Sequence, residues 1–207
     1  MVVIACNDVR VNNRETFRPR SSYVWFVFAV VLDVLFVAER FTRNNGQAVV
    51  AGLFLGGAFA AGAYLLFLRP KIDLYDEAIV ITNLITDETI GWQDVIDIET
   101  RYSMSVTTAD RKIFAVAAPG PSRYHSRTVH ETEMRGISVR DSSSIRPGDS
   151  PRTHSGVAAH LARLRWEAFN RESRDASVTT QRKRQPLLAS IALTSWVVGV
   201  LLEVIHL

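Results

Sequence analysis

The stretch "DEAIVITNLITDETIGWQDVIDIE", Asp76 to Glu99, decides how this chain is read. Ala78 to Asn83 is a β-branched run and Thr89 to Trp92 a second short strand, as in a small soluble sheet. Apolar segments long enough to cross a bilayer lie on both sides of it. A chain of 207 residues has room for one soluble domain beside such segments.

Working outward, the two-residue period begins at "KIDLY", where Ile72 and Leu74 alternate with Asp73 and Tyr75. Val95 to Thr108 continues it. Ile96, Ile98, Tyr102, Met104 and Val106 fall on one face of a predicted half-buried antiparallel strand, bent or broken near Tyr102. "ADRK" is a turn, "IFAVAA" (Ile113 to Ala118) the next strand, and "PGP" ends the run. Residues 122–154 are rich in Ser, Arg, Thr and Pro and hold too little apolar surface for a core, so a disordered insertion is expected. "GISV" (Gly136 to Val139) is a possible edge strand within it. Ser155 to Glu172 turns helical. Val157, Leu161, Leu164 and Ala168 form one stripe, Trp166 and Phe169 widen it, and Ser155 is the expected N-cap.

Three apolar blocks flank this unit: Tyr23 to Ala38, Gln47 to Leu68 and Leu187 to Leu207. About 20 mainly apolar helical residues cross a bilayer. The first block is short and carries Asp33, but a helix over 21–39 reaches across. "RNNGQ" turns between the first two blocks, Pro70 ends the second, and Pro186 suits the start of the third. The expected organisation is a disordered N-terminus (1–20), a transmembrane hairpin (21–69, spans 21–39 and 47–68), a soluble domain (70–172), a linker (173–186) and a third span (187–207). Arg10, Arg14, Arg18 and Arg20 precede the first span, Arg69 and Lys71 follow the second, and Arg182, Lys183 and Arg184 abut the third. Only Arg40 and Arg43 fall in the first loop, and nothing basic follows the third span. By the positive-inside rule the N-terminus and the domain are cytoplasmic, and the C-terminus lies outside. "MVVIAC" lacks the basic n-region of a signal peptide, so the first span is expected to be a retained anchor in a bacterial inner (plasma) membrane.

The balance of 24 basic against 21 acidic residues gives a formal charge of +3. With no basic stripe interleaved with aromatics, it does not argue for nucleic acid. The single cysteine, Cys6, excludes an internal disulfide and a CxxC motif. From Lys71 to Thr100 eight acids face one base, which argues against anionic headgroup binding there.

A meander of short strands closed by an amphipathic helix has the outline of a PH-like split β-barrel. "RP" after the second span, the strand "DEAIVITN", "IGWQDV" and the strand entering "AVAAPG" are similar to the actinobacterial membrane-anchored PH-domain family of the low-molecular-weight protein antigen 6 type. The similarity spans roughly Phe17 to Pro121; the third span and the long insertion lie outside it. It implies an α+β PH-like domain and brings no defined activity.

Several residues invite a role. Asp33 is a carboxylate within a span, where ionisable groups are costly and face protein or water. It could serve a proton path, or be a protonated acid hydrogen-bonded inside a bundle. Glu203 is expected at the interface. Ala48, Gly52, Gly56 and Ala60 form a small-residue ridge for a helix of this chain or of a partner. Trp92 and Asp94 read as a core anchor and a turn residue, and the expected domain core includes Ile96, Ile98, Trp92, Leu161, Leu164 and Trp166. His125, His130 and His154 near Glu131 and Glu133 lack the fixed frame of a metal site, and Ser142 to Ser144 read as solvated linker. No nucleophile–base pair, phosphate loop or HExxH motif occurs.

The expectation is therefore a non-catalytic membrane protein with three transmembrane helices, no cofactor and no metal. Its PH-like domain would act as an adaptor or scaffold, offering a sheet edge or the groove beside its helix to a protein partner. The alternative is an accessory or assembly subunit of a larger membrane enzyme complex, bound through its spans. Beyond the lipid bilayer, nothing in the sequence points to a small-molecule ligand.

Overall fold

A computed structural model describes residues 14–42, 45–120, 150, 153–172 and 178–205. The expected disorder of 1–13 and of most of the 122–154 insertion, the "GISV" strand, His125, His130, Glu131, Glu133 and Ser142 to Ser144 lie outside the described residues. The chain divides into two units, one holding the sheets and one holding the long apolar helices.

The sheet unit is antiparallel throughout. β1 (Glu15–Phe17), β2 (Lys71–Leu74), β3 (Ala78–Thr82), β4 (Thr86–Gly91) and β8 (Gln181–Arg184) make one sheet in that spatial order. β5 (Asp97–Glu99), β6 (Ser103–Thr107) and β7 (Lys112–Pro119) make the second. One helix, α3 (His154–Arg171), packs on β5, β6 and β7 and on β2. The core is continuous: Ile72, Leu74, Ile79, Ile81, Ile90, Trp92, Met104 and Val106 are fully buried. Each such side chain removed from water contributes about 1.5–3 kcal/mol.

Two strands were not expected. β1 falls within the segment anticipated as disordered. It pairs with β2 in the register Thr16 opposite Asp73, and a polar clamp fixes it there. Arg14 and Thr16 both donate to the buried Asp73 carboxylate, Thr16 at 2.6 Å. β8 falls within the anticipated linker. The Thr180 hydroxyl meets Asp94 at 2.5 Å, the Gln93 amide donates to the Val178 carbonyl at 2.7 Å, and Arg182 pairs with Glu88 at 2.9 Å. A side chain on Gly91 would meet that Val178 carbonyl, which explains glycine at the turn from β4 into Trp92. Asp94 is thus an anchor for the returning chain rather than a turn residue alone.

Four sequence readings need correction. The long alternating stretch does break near Tyr102, into a hairpin of β5 and β6 turning at residues 100–102, but Tyr102 is exposed and not on the buried face. Ile96 is 58% exposed. A 3-10 turn over Trp92–Asp94 upsets the two-residue period before β5 begins, and Val95 takes the core position instead. Leu164 is 48% exposed, because the buried face of α3 is a different one: Ser155, Gly156, Ala158, Ala159, Ala162 and Phe169. Leu161 and Trp166 pack on its flanks. The N-cap of α3 is Thr153, whose hydroxyl accepts from Gly156 N at 3.0 Å; Ser155 lies two residues too late, already inside the helix.

The second unit holds three helices long and apolar enough to cross a membrane: α1 (Arg20–Thr42), α2 (Gly46–Ala63) continued by a π-helical turn Tyr64–Leu68, and α4 (Leu187–Val204). The first is 23 residues, longer than expected, and the third stops at Val204. The side chain of Asn45 caps α2 by accepting from Gln47 N. α2 is the central helix and contacts both α1 and α4.

Candidate functional site

Two regions bear on function, one in each unit. In the sheet unit, backbone edges are the natural place to look, since an unpaired edge can accept a further strand. Two of the four outer edges among the described strands, those of β5 and β7, are capped by side chains. β4 is covered by β8. On β5 the Arg163 guanidinium donates to the Ile98 carbonyl at 2.7 Å. On β7 the Asn83 amide both donates to the Phe114 carbonyl at 2.8 Å and accepts from Val116 N at 3.0 Å, imitating one residue of a neighbouring strand. β8 itself is four residues of Gln, Arg, Lys and Arg, all exposed, and a short cationic edge resists further pairing.

What remains is a face. On β7 Ile113, Ala115 and Ala117 point into the core, so Lys112, Phe114 and Val116 point outward; the two apolar ones are about half exposed. Lys112 reaches Glu99 at 2.5 Å and lies 5.8 Å from the Phe114 ring centroid. This is a small apolar strip with a charged border.

Buried carboxylates in this unit are paired. Burial pushes the Asp73 carboxyl up. Hydrogen bonds from Lys71 and Thr16, the Lys71 charge and the Arg14 hydrogen bond outweigh that and hold it below the ordinary range. The hydrogen bond and charge of Asp73 in turn raise Arg14. Glu88 is buried between Arg111 at 2.6 Å and Arg182. Such pairs hold neighbouring strands together.

In the helical unit the small-residue ridge has its partner within the chain. A side chain on Gly52 would stand 2.7 Å from Arg40 Cγ, and one on Gly56 2.6 Å from Val37 Cγ2. Both glycines are buried against α1, while Ala48 and Ala60 are half-buried. α4 takes another side of α2, with Gly199 against Leu55 and the Ser195 hydroxyl donating to the Phe54 carbonyl at 2.7 Å. Arg40 also lies over the Phe36 ring and pairs with Glu203 at 2.5 Å, so Glu203 ties α4 to α1 instead of simply reaching the interface.

Asp33 sits on α1 with Oδ1 facing Gly56, and that buried oxygen has no hydrogen-bond partner among the described residues. The Asp33 side chain also lines a cavity of about 640 Å³ bounded by α1, α2 with its π-helical turn, and α4. The lining is apolar and aromatic apart from Asp33. Sequence reasoning singled out Asp33 but not the cavity, since the residues that make it, Phe36, Phe59 and Trp196, come from three separate spans.

Of the remaining candidates, Trp92 is a sealed core residue whose indole donates to the Tyr75 carbonyl at 3.0 Å. His154 opens α3 and stacks edge-on to Phe17. No group of His, Cys, Asp and Glu able to hold a metal occurs among the described residues. No family model matches this chain, and no curated protein and no solved structure matches it either.

Proposed function

We propose that this chain is a membrane-tethered adaptor of no catalytic role, whose PH-like domain holds a protein partner at the cytoplasmic face of the inner membrane. A PH-like reading is supported by four antiparallel strands and then three, with a helix after the last of them. It agrees with the proposed kinship to the membrane-anchored PH-domain family.

Connectivity supports the topology. β1 ends two residues before α1, β2 begins soon after the π-helical turn, and β8 ends just before α4. Strands of one sheet lie on one side of a bilayer. In this reading the chain crosses at Arg20, Leu68 and Leu187 from that side, and the flanking Arg and Lys residues support its being the cytoplasmic one.

The observation that carries the adaptor reading is the Phe114 and Val116 strip on the outward face of β7, exposed where the neighbouring backbone edges are capped. It favours a partner docked on the sheet face, in place of the strand addition anticipated from sequence. The alternative, assembly through the spans, loses its main support because the Gly52 and Gly56 ridge is filled by α1. A photo-crosslinking amino acid at position 114 tests the proposal in intact membranes. A discrete protein adduct, lost when Val116→Asp is added, supports it. Adducts no different from those at an exposed control position such as Asp110 would refute it.

A further inference from the structure

We propose that the cavity among the three spans is a binding site for a hydrophobic molecule carrying one small hydrogen-bond-donating head, an amine or a hydroxyl, which it takes up from the lipid phase. The proposal is independent of the adaptor reading and departs from the sequence expectation of no small ligand.

Size and lining come first. At about 640 Å³ the cavity lies within the range of small-molecule sites, roughly 300–1,000 Å³, which are mostly apolar with a few placed polar groups. Here Phe36, Phe59 and Trp196 supply the aromatic wall and Asp33 the single charged group. The second observation is that Asp33 is the one charged side chain in an otherwise apolar lining. An ionisable group at this depth is costly and is satisfied by protein, water or a ligand. A lipid tail filling the cavity offers it nothing; a ligand amine or hydroxyl supplies a donor.

Depth excludes an ordinary phospholipid head. Asp33 is 13 residues beyond Arg20, or about 20 Å along the helix at 1.5 Å per residue. That is inside a hydrocarbon layer about 30 Å thick. A bulky charged headgroup stays at the interface, so the group that reaches Asp33 must be small. The third observation is Gly62. It lines the cavity, and a side chain built on it would meet nothing within 4 Å. The space it leaves belongs to the cavity and not to a helix contact, unlike that of Gly56.

The test uses the full chain in phosphatidylcholine nanodiscs with Trp25→Phe, which leaves Trp196 as the only tryptophan in the spans. Its fluorescence is titrated with 11-bromoundecylamine, 11-bromoundecanol and bromoundecane. The amine or the alcohol should quench saturably at a concentration at least tenfold below the alkane. Gly62→Phe should remove the saturable phase with unfolding temperature unchanged, and Asp33→Leu should bring the three probes together. Equal quenching by all three on the unaltered chain, rising only with membrane load, would mean occupancy by lipid tails and would overturn the proposal. So would a saturable phase indifferent to Asp33→Leu. The comparison of probes needs no variant at these positions, so a misfolded variant cannot shelter the claim.

Discussion

Trp92, Ile72 and Leu74 of the sheets are sealed from solvent, whereas Trp25, Val24 and Leu35 of α1, no less apolar, are more than half exposed. The buried positions of the spans are instead small: Ala29, Ala51, Gly52, Gly56, Ala58 and Gly199. The same residue types take opposite places in the two regions, as the proposed membrane surroundings of the helices require. Water drives large apolar side chains inward. Lipid gives no such drive, so helices associate by close backbone approach, where small residues serve best.

The comparison can be broken at specific residues. The largest effect is expected from Trp92→Ala, which empties a fully buried site and breaks the bond to the Tyr75 carbonyl. A loss of about 3–5 kcal/mol is expected, read from denaturant unfolding of the domain signal. Trp25→Ala on the lipid-facing side should leave that transition in place. Next comes Gly56→Leu, which must displace Val37 and Asp33 of α1. Overpacking of this kind costs about 1–3 kcal/mol, visible as a lower melting temperature in detergent, while Gly62→Leu should be tolerated.

The sequence made the two regions legible to unequal degrees. The spans were read from length and hydropathy, and β2, β3, β7 and α3 from period and composition. β1 and β8 escaped for a physical reason: three residues carry no period, and "QRKR" has no apolar side to alternate. They are strands because tertiary partners hold them, Asp73 for one, Glu88 and Asp94 for the other. Leu164 misled because α3 approaches the sheets so closely that its inner face is Ala, Gly and Ser, leaving the larger residue outside. In that respect α3 behaves like a span: where backbones come close, size and not hydropathy marks the buried side. Asp33 was legible as an oddity, but its cavity needs three spans in place.

A smaller effect follows from Asp73, whose carboxyl is held below its unfolded value of about 3.9. A depressed pKa contributes stability that is present above the unfolded value and lost as pH falls through the folded one. The domain should therefore lose stability as pH drops below about 4, and Asp73→Asn should remove that part of the acid dependence while destabilising β1 at neutral pH. Unfolding curves at stepped pH read both. The smallest effect is expected from Arg40→Ala, which frees Glu203 at the end of the bundle. About 1 kcal/mol of helix association is expected to be lost, recoverable in part by pairing it with Glu203→Ala.

The central proposal is that Asp110 lies on the cytoplasmic side of the membrane and Asn45, between the first two candidate spans, on the other. Single cysteines placed at Asn45 and Asp110, with Cys6 replaced by Ser, test it by labelling intact cells with a membrane-impermeant thiol reagent. Labelling at position 45 without permeabilisation, and at position 110 only after it, is the predicted result. Both positions labelled from the same side would contradict the account.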